Sequence, residues 1–140
     1  MTADVSEPLA LLETMVMMES PSFDKPLVDA FGRFVAGEFA KIGGRVEIVP
    51  ADRFGDHLVI RFEEGPSLVL LLGHIDTVFS KGETEKRPFR IEGNRATGPG
   101  VFDMKSGILL MWITLRNQPQ PRNVTILLTS DEEEIGRAHV

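Results

Sequence analysis

The chain has 140 residues, enough for one domain with its own core. Hydrophobic residues make up 42% and charged residues 26%, an ordinary globular balance, and a net charge of -6 argues against a polyanion such as nucleic acid as partner. Cysteine is absent, which excludes disulfides and thiolate ligands, so any metal site must be built from histidine and carboxylates.

The opening residues lack a basic stretch and interleave glutamate with apolar positions, so no secretory signal is expected. No apolar run approaches the ~20 residues of a membrane span. The cytoplasm is the expected compartment. Pro8 to Met18 reads as a first helix with Leu11, Leu12, Met15 and Met18 on one side. Ser20-Pro21-Ser22 breaks it, and Asp24 is placed to cap a second helix. There Leu27, Val28, Phe31, Phe34, Val35 and Phe39 form a stripe fit for a core, and Gly43-Gly44 ends it.

Strands are expected at Arg45 to Val49 and His57 to Phe62, where apolar and polar residues alternate. The run 63–66 makes a turn. Ser67 to Leu72 and Asn123 to Leu128 are continuous apolar runs, the pattern of strands buried on both faces. Between them lie a possible edge strand at Pro88 to Glu92, a turn at Gly98-Pro99-Gly100, and a helix from Met104 to Arg116 that buries Ile108, Trp112 and Leu115. Strands alternating with helices imply an α/β layer fold.

Both continuous runs end in polar chemistry. One leads into Gly73-His74-Ile75-Asp76-Thr77, the other into Thr129-Ser130-Asp131-Glu132-Glu133-Glu134. Open α/β sheets bind ligands beyond the carboxyl ends of their strands. Asp103 adds a third acidic position, after a glycine-rich turn. A divalent cation takes imidazole nitrogen and carboxylate oxygen, and a close pair of cations needs a bridging carboxylate. Asp76 is placed to accept the second ring N–H of His74. Singly, each feature has a plainer reading: a packed histidine, a solvated acidic helix start, an Asp103 that caps the following helix. Their joint placement on adjoining loops favours the metal site. Lys105 in the first turn of a helix opposes the helix dipole, which suggests a carboxylate partner, although an exposed lysine is the plainer expectation. His57 and His139 are read as structural.

In that order, GHIDTVF, GPGVFDMKSG and TSDEEEIG resemble the co-catalytic zinc metallopeptidases and amidohydrolases. That family includes glutamate carboxypeptidases, aminoacylases, acetylornithine deacetylases and succinyl-diaminopimelate desuccinylases. The resemblance covers nearly the whole chain, including ESPSFD, and the stretch after His74 is most similar to the glutamate-carboxypeptidase branch. It implies a three-layer, zinc-exopeptidase-like α/β catalytic domain with a largely parallel mixed sheet, incomplete in this chain, with residues 1–140 as its N-terminal portion. Two divalent metal ions are implied, zinc first, with cobalt or manganese as alternatives. His74 would bind one, Glu133 the other, and Asp103 would bridge them. Glu132 would be the general base for a metal-activated water, and Asp76 would orient His74. The Asp103-Met104 peptide would be cis.

The implied reaction is hydrolysis of a peptide or N-acyl amino-acid amide bond in a small-molecule substrate. Family members add a further acidic ligand, a distant histidine and a smaller domain that often forms homodimers, none of which is found in these 140 residues. The chain alone is therefore expected to have little or no activity and to expose the unpaired side of its sheet unless a partner chain or a dimer covers it. Two alternatives stand beside the carboxypeptidase reading: a biosynthetic deacylase of the acetylornithine or succinyl-diaminopimelate type, and a truncated, non-catalytic remnant or interaction module.

Overall fold

Two amphipathic helices open the fold, and each buries the stripe its sequence marks. The computed structural model describes residues 4–62, 66, 68–119 and 123–135. Most of the expected turn at 63–66, the strand start at Ser67, and His139 lie outside them. Helix α1 spans Ser6–Met17 and buries Leu12, Met15 and Val16. Helix α2 spans Lys25–Lys41, and the Asp24 carboxylate accepts the Leu27 N–H as its cap. Val28, Phe31, Val35 and Phe39 are buried, each such side chain contributing about 1.5–3 kcal/mol over an exposed one. Leu27 and Phe34, at the edges of the stripe, are half-buried.

The main sheet comprises β1 (Arg45–Val49), β2 (His57–Phe62), β3 (Val69–His74) and, later in the chain, β6 (Val124–Thr129), in the order β1-β2-β6-β3. Between β3 and β6 come the short helix α3 (Glu83–Lys86), a hairpin of β4 (Arg90–Glu92) and β5 (Arg95–Thr97), a wide turn Val101–Lys105 and helix α4 (Ser106–Asn117). A last short helix, α5, covers Glu132–Ile135. The expected edge strand at Pro88 to Glu92 is thus one arm of a separate two-stranded ribbon. None of the described helices is long and apolar enough to cross a membrane.

The sheet is mixed, as expected, but antiparallel pairing predominates in this chain where a largely parallel sheet was expected. β1 with β2 and β2 with β6 are antiparallel, and only β3 with β6 is parallel. The 50–56 connection between β1 and β2 is too short for a crossover, which dictates the antiparallel pair. The β3-to-β6 connection carries α4 and permits the parallel one.

One face of the sheet is dry. Leu58, Ile60 and Phe62 from β2 and Ile126 and Leu128 from β6 share it, packed under α1, α2 and α4. The Trp112 indole N–H donates to the Glu38 carbonyl at 3.0 Å and ties α4 to α2. The second face has no helix over it among the described residues. Leu70 and Leu72, in register with Thr125 and Leu127, are 61% and 63% exposed. The expectation that both apolar runs are buried on two faces is therefore corrected, and the three-layer arrangement is present here as two layers. An unbroken apolar run records that a strand suits a two-sided core, not which segment supplies the second side.

Candidate metal centre

The parallel β3·β6 pair sets the site. Its register places His74 opposite Thr129, so the residues after both strands leave the sheet side by side. His74 is buried, and its Nδ1 lies 2.9 Å from the Asp76 main-chain oxygen and 3.3 Å from Asp76 Oδ1. Because a carbonyl oxygen only accepts, Nδ1 carries the proton, and Nε2 faces outward. The sequence pointed to the Asp76 carboxylate as the histidine's partner. The structure adds the shorter contact to the Asp76 carbonyl.

Asp76 is 1% exposed and serves several groups at once. It accepts from Ser22 Oγ at 2.6 Å and from the N–H groups of Glu132 and Glu133 at 3.3 and 3.2 Å. Burial alone would raise its pKa. The hydrogen bonds from His74, Ser22 and Glu133, with the charge of His74, outweigh burial and hold it below the usual carboxylate value. Asp76 thereby anchors the start of the acidic turn to the end of β3. Nothing in the His-x-Asp spacing signals this second duty. Ser22, which the sequence does not mark as a site residue, sits within ESPSFD, read there only as a helix break and cap.

On the outer side, His74 Nε2 is 2.8 Å from Asp103 Oδ1 and 3.7 Å from Glu132 Oε2. Ligand atoms of His74, Glu132 and Glu133 all lie within 4.8 Å of one another. Asp103 and Glu132 have 65% and 56% of their side-chain surface exposed. Burial pulls the His74 pKa down, but its bonds to Asp76 and Asp103 prevail and raise it from 6.5 to about 9. Glu133 is half-buried, and burial followed by the charge of Asp103 raises its pKa. Such a set, one imidazole among converging carboxylates that repel one another, suits a borderline divalent cation such as zinc.

Asp103 does not cap α4. Lys105 occupies the cap position, no side chain caps the helix, and Asp103 points to His74 instead. The Asp103-Met104 peptide is cis, as the resemblance implied. Met104 seats this loop on β3: its Sδ accepts the His74 N–H at 3.2 Å, and a Cβ on Gly73 would fall 2.8 Å from its Cε. Gly100, at φ +74°, turns the chain where a Cβ would press on Thr77.

Lys105 departs from the exposed reading, and a carboxylate, Glu19, does lie near enough to act on its charge. The lysine is 2% exposed, and its Nζ donates to the Met15 and Met18 carbonyls at 2.9 and 2.5 Å while lying 4.2 Å from the centre of the Phe31 ring. The carbonyls at the end of α1 supply the negative charge in place of a direct carboxylate partner. Burial lowers the ammonium from 10.5 to about 7, opposed by the charge of Glu19. His57 is structural as read, with Nδ1 accepting the Ser130 N–H at 3.2 Å. The acidic run does start a short helix, so the plainer reading of that run and its place in the site hold together.

Comparison with known proteins gives the chain's family. Residues 70–140 match the family described as Peptidase family M20/M25/M40. Carboxypeptidase G2 of Pseudomonas sp. (strain RS-16) is 34% identical over 88% of this chain and 32% of its own length. An acetylornithine deacetylase of Edwardsiella ictaluri (strain 93-146) is 36% identical over 71% of this chain and 28% of its own. Human carnosine dipeptidase 1 shares the fold, with a TM-score of 0.79 at 18% identity over 95% of this chain and 33% of that one. The chain thus spans about a third of the length of the curated relatives it matches. A family match over half the chain, on the segment that carries the strand-end histidine and acids, makes this chain a member of the peptidase family M20/M25/M40.

Proposed function

We propose that this chain carries the N-terminal part of a two-metal site that hydrolyses a peptide or N-acyl amino-acid amide bond. The observation that carries the reading is the convergence of Asp103, Glu132 and Glu133 on the outward Nε2 of a histidine held from behind. His74 would hold one divalent cation, Glu133 a second, and Asp103 would lie between them, with zinc the first candidate and cobalt or manganese the alternatives. Bound there, such cations supply Lewis acidity and lower the pKa of water towards neutrality.

The chain's own residues do the rest. The Asp76 carbonyl fixes the His74 tautomer so that Nε2 is the donor atom offered. The Asp76 carboxylate holds the N–H groups of Glu132 and Glu133, which keeps two adjacent glutamates in different positions. Glu132, the more exposed of the pair, is free to take a proton from the attacking water and deliver it to the leaving nitrogen.

A glutamate-carboxypeptidase-like substrate is favoured by the 34% identity to carboxypeptidase G2. A biosynthetic deacylase is the second reading, favoured by the 36% identity to an acetylornithine deacetylase. His74, Asp103 and Glu133 by themselves would leave each cation short of ligands, and we expect the isolated chain to turn over little or no substrate. The converging acids argue against a non-catalytic remnant.

Zinc titration followed by calorimetry tests the assignment. His74→Ala, Asp103→Ala and Glu133→Ala should each weaken binding at least ~10-fold, while Glu132→Gln should retain it. Unchanged affinity in the first three would refute the ligand set. Turnover of N-acyl glutamate or N-acetylornithine by the 140-residue chain at ordinary enzyme rates would refute its inactivity.

A further inference from the structure

Beside the acidic cluster lies a cavity of about 300 Å³, bounded by the 21–24 and 77–81 loops and by Glu134 of α5. That volume is at the small end of the range for ligand pockets. It is joined to the site through shared residues. Ser22, in its wall, donates to Asp76, and Glu134 follows Glu133 directly. The two loops are laced together, with Ser22 N–H donating to the Thr77 carbonyl and Thr77 N–H to the Ser20 carbonyl. Both walls are thus tied to Asp76, one through Ser22 and the other through the chain itself.

The lining combines apolar surface with one unspent charge. Phe23 and Val78 are 63% and 54% exposed, more than packing within this chain explains. Phe79 forms a further aromatic wall. Of the charged groups, Asp24 is used by the Leu27 N–H and Glu134 is already engaged. Lys81 is exposed, with no ion-pair partner among the described residues.

The Lys81 loop is held firmly from below. The Glu19 carboxylate accepts the Gly82 N–H at 2.9 Å, the Thr84 N–H at 3.0 Å and the Thr84 hydroxyl at 2.9 Å. Those bonds hold the Glu19 pKa below its ordinary value although burial would raise it. The same bonds fix the backbone next to Lys81.

We propose that this cavity is a substrate subsite: it takes an apolar or aromatic flank of the amide substrate between Phe23 and Val78, and Lys81 pairs with a carboxylate on that flank. The inference rests on the amide-hydrolase reading of the neighbouring site. The acids at the metal end, Glu133 and Glu134, repel a second carboxylate, so the substrate's negative group is directed to the Lys81 end. The subsite thus selects for amides that carry the carboxylate and the apolar group on the same side of the scissile bond.

The test titrates N-acetylphenylalanine, which carries its ring and its carboxylate on the same side of the amide, and its uncharged primary amide into the isotopically labelled 140-residue chain, with chelator present, following amide shifts at residues 22–24 and 78–82. The acid should bind about tenfold more tightly than the amide, the gain expected of one charge-assisted contact. Lys81→Met should abolish that difference, and Lys81→Arg should restore it. Because Lys81 is exposed, neither variant should disturb the fold. Equal binding of acid and amide to the unaltered chain, or a difference that persists in Lys81→Met, would overturn the proposal. Chelation makes the outcome independent of metal. Loss of zinc binding with the acid preference intact would break the metal reading alone, and the converse would break the subsite alone.

Discussion

The two sides of the candidate centre differ sharply in how they are held. Behind His74, Asp76 is almost wholly buried and bound by Ser22, Glu132 N–H and Glu133 N–H. In front, Asp103 and Glu132 have more than half of their side-chain surface open to solvent. The inner side is buried and fully hydrogen-bonded, and the outer side is open to solvent. The difference teaches that exposed carboxylates cost the fold little, while a buried one must be matched by donors on every side.

Variants on the two sides should therefore separate stability from metal affinity. Asp76→Ala should be the most damaging, because it strips three donors and leaves the His74 imidazolium without its buried counter-charge. Loss of one partner of a buried pair costs about 3–5 kcal/mol, to be read from urea unfolding, and zinc affinity should fall at least ~10-fold with it. A loss of affinity with unchanged stability would contradict the division between the two sides. Gly73→Ala tests the seam between them. Its Cβ would meet Met104 Cε and Leu128 Cδ2 at 2.8 and 3.0 Å, overpacking that should cost about 1–3 kcal/mol in thermal unfolding.

Asp103→Ala should do the opposite of Asp76→Ala. Stability should stay within about 0.5 kcal/mol of the parent, and calorimetry should show zinc binding weakened at least ~10-fold. The smallest effect is in pH. The His74 pKa is raised from 6.5 to about 9 by its partners, so its contribution to metal-free stability is complete below 6.5 and is lost as pH rises through about 9. The urea midpoint of the chelated chain should decline over that interval. Saturation with zinc should remove the decline, since a metal at Nε2 replaces the proton.

Much of the fold was legible because local rules agreed with the tertiary outcome. The Asp24 cap, the α2 stripe and the bounds of β1 and β2 are where pattern and capping chemistry put them. The outward-facing half of the site was legible too, since His74, Asp103, Glu132 and Glu133 all stand at the ends of recognisable elements. What escaped was long-range. The open face of β3 depends on which segment covers Leu70 and Leu72. The burial of Lys105 depends on carbonyls of α1 some 90 positions earlier. The bond from Ser22 to Asp76 spans 54 positions, and neither residue type announces it. A periodicity describes one element at a time, and each of these features is a property of two.

The parallel pairing of β3 with β6 has one more consequence, for the time course of folding. It joins residues as far apart in sequence as His74 and Thr129 across the interval that holds α4. Contacts of such separation must meet loop-closure entropy before they are rewarded, so they form late relative to helices and hairpins. His74 comes beside Glu132 and Glu133 only once that pairing exists. In a refolding experiment, the appearance of tight metal binding should therefore follow the onset of helical signal and mark the moment when the two strands have found each other.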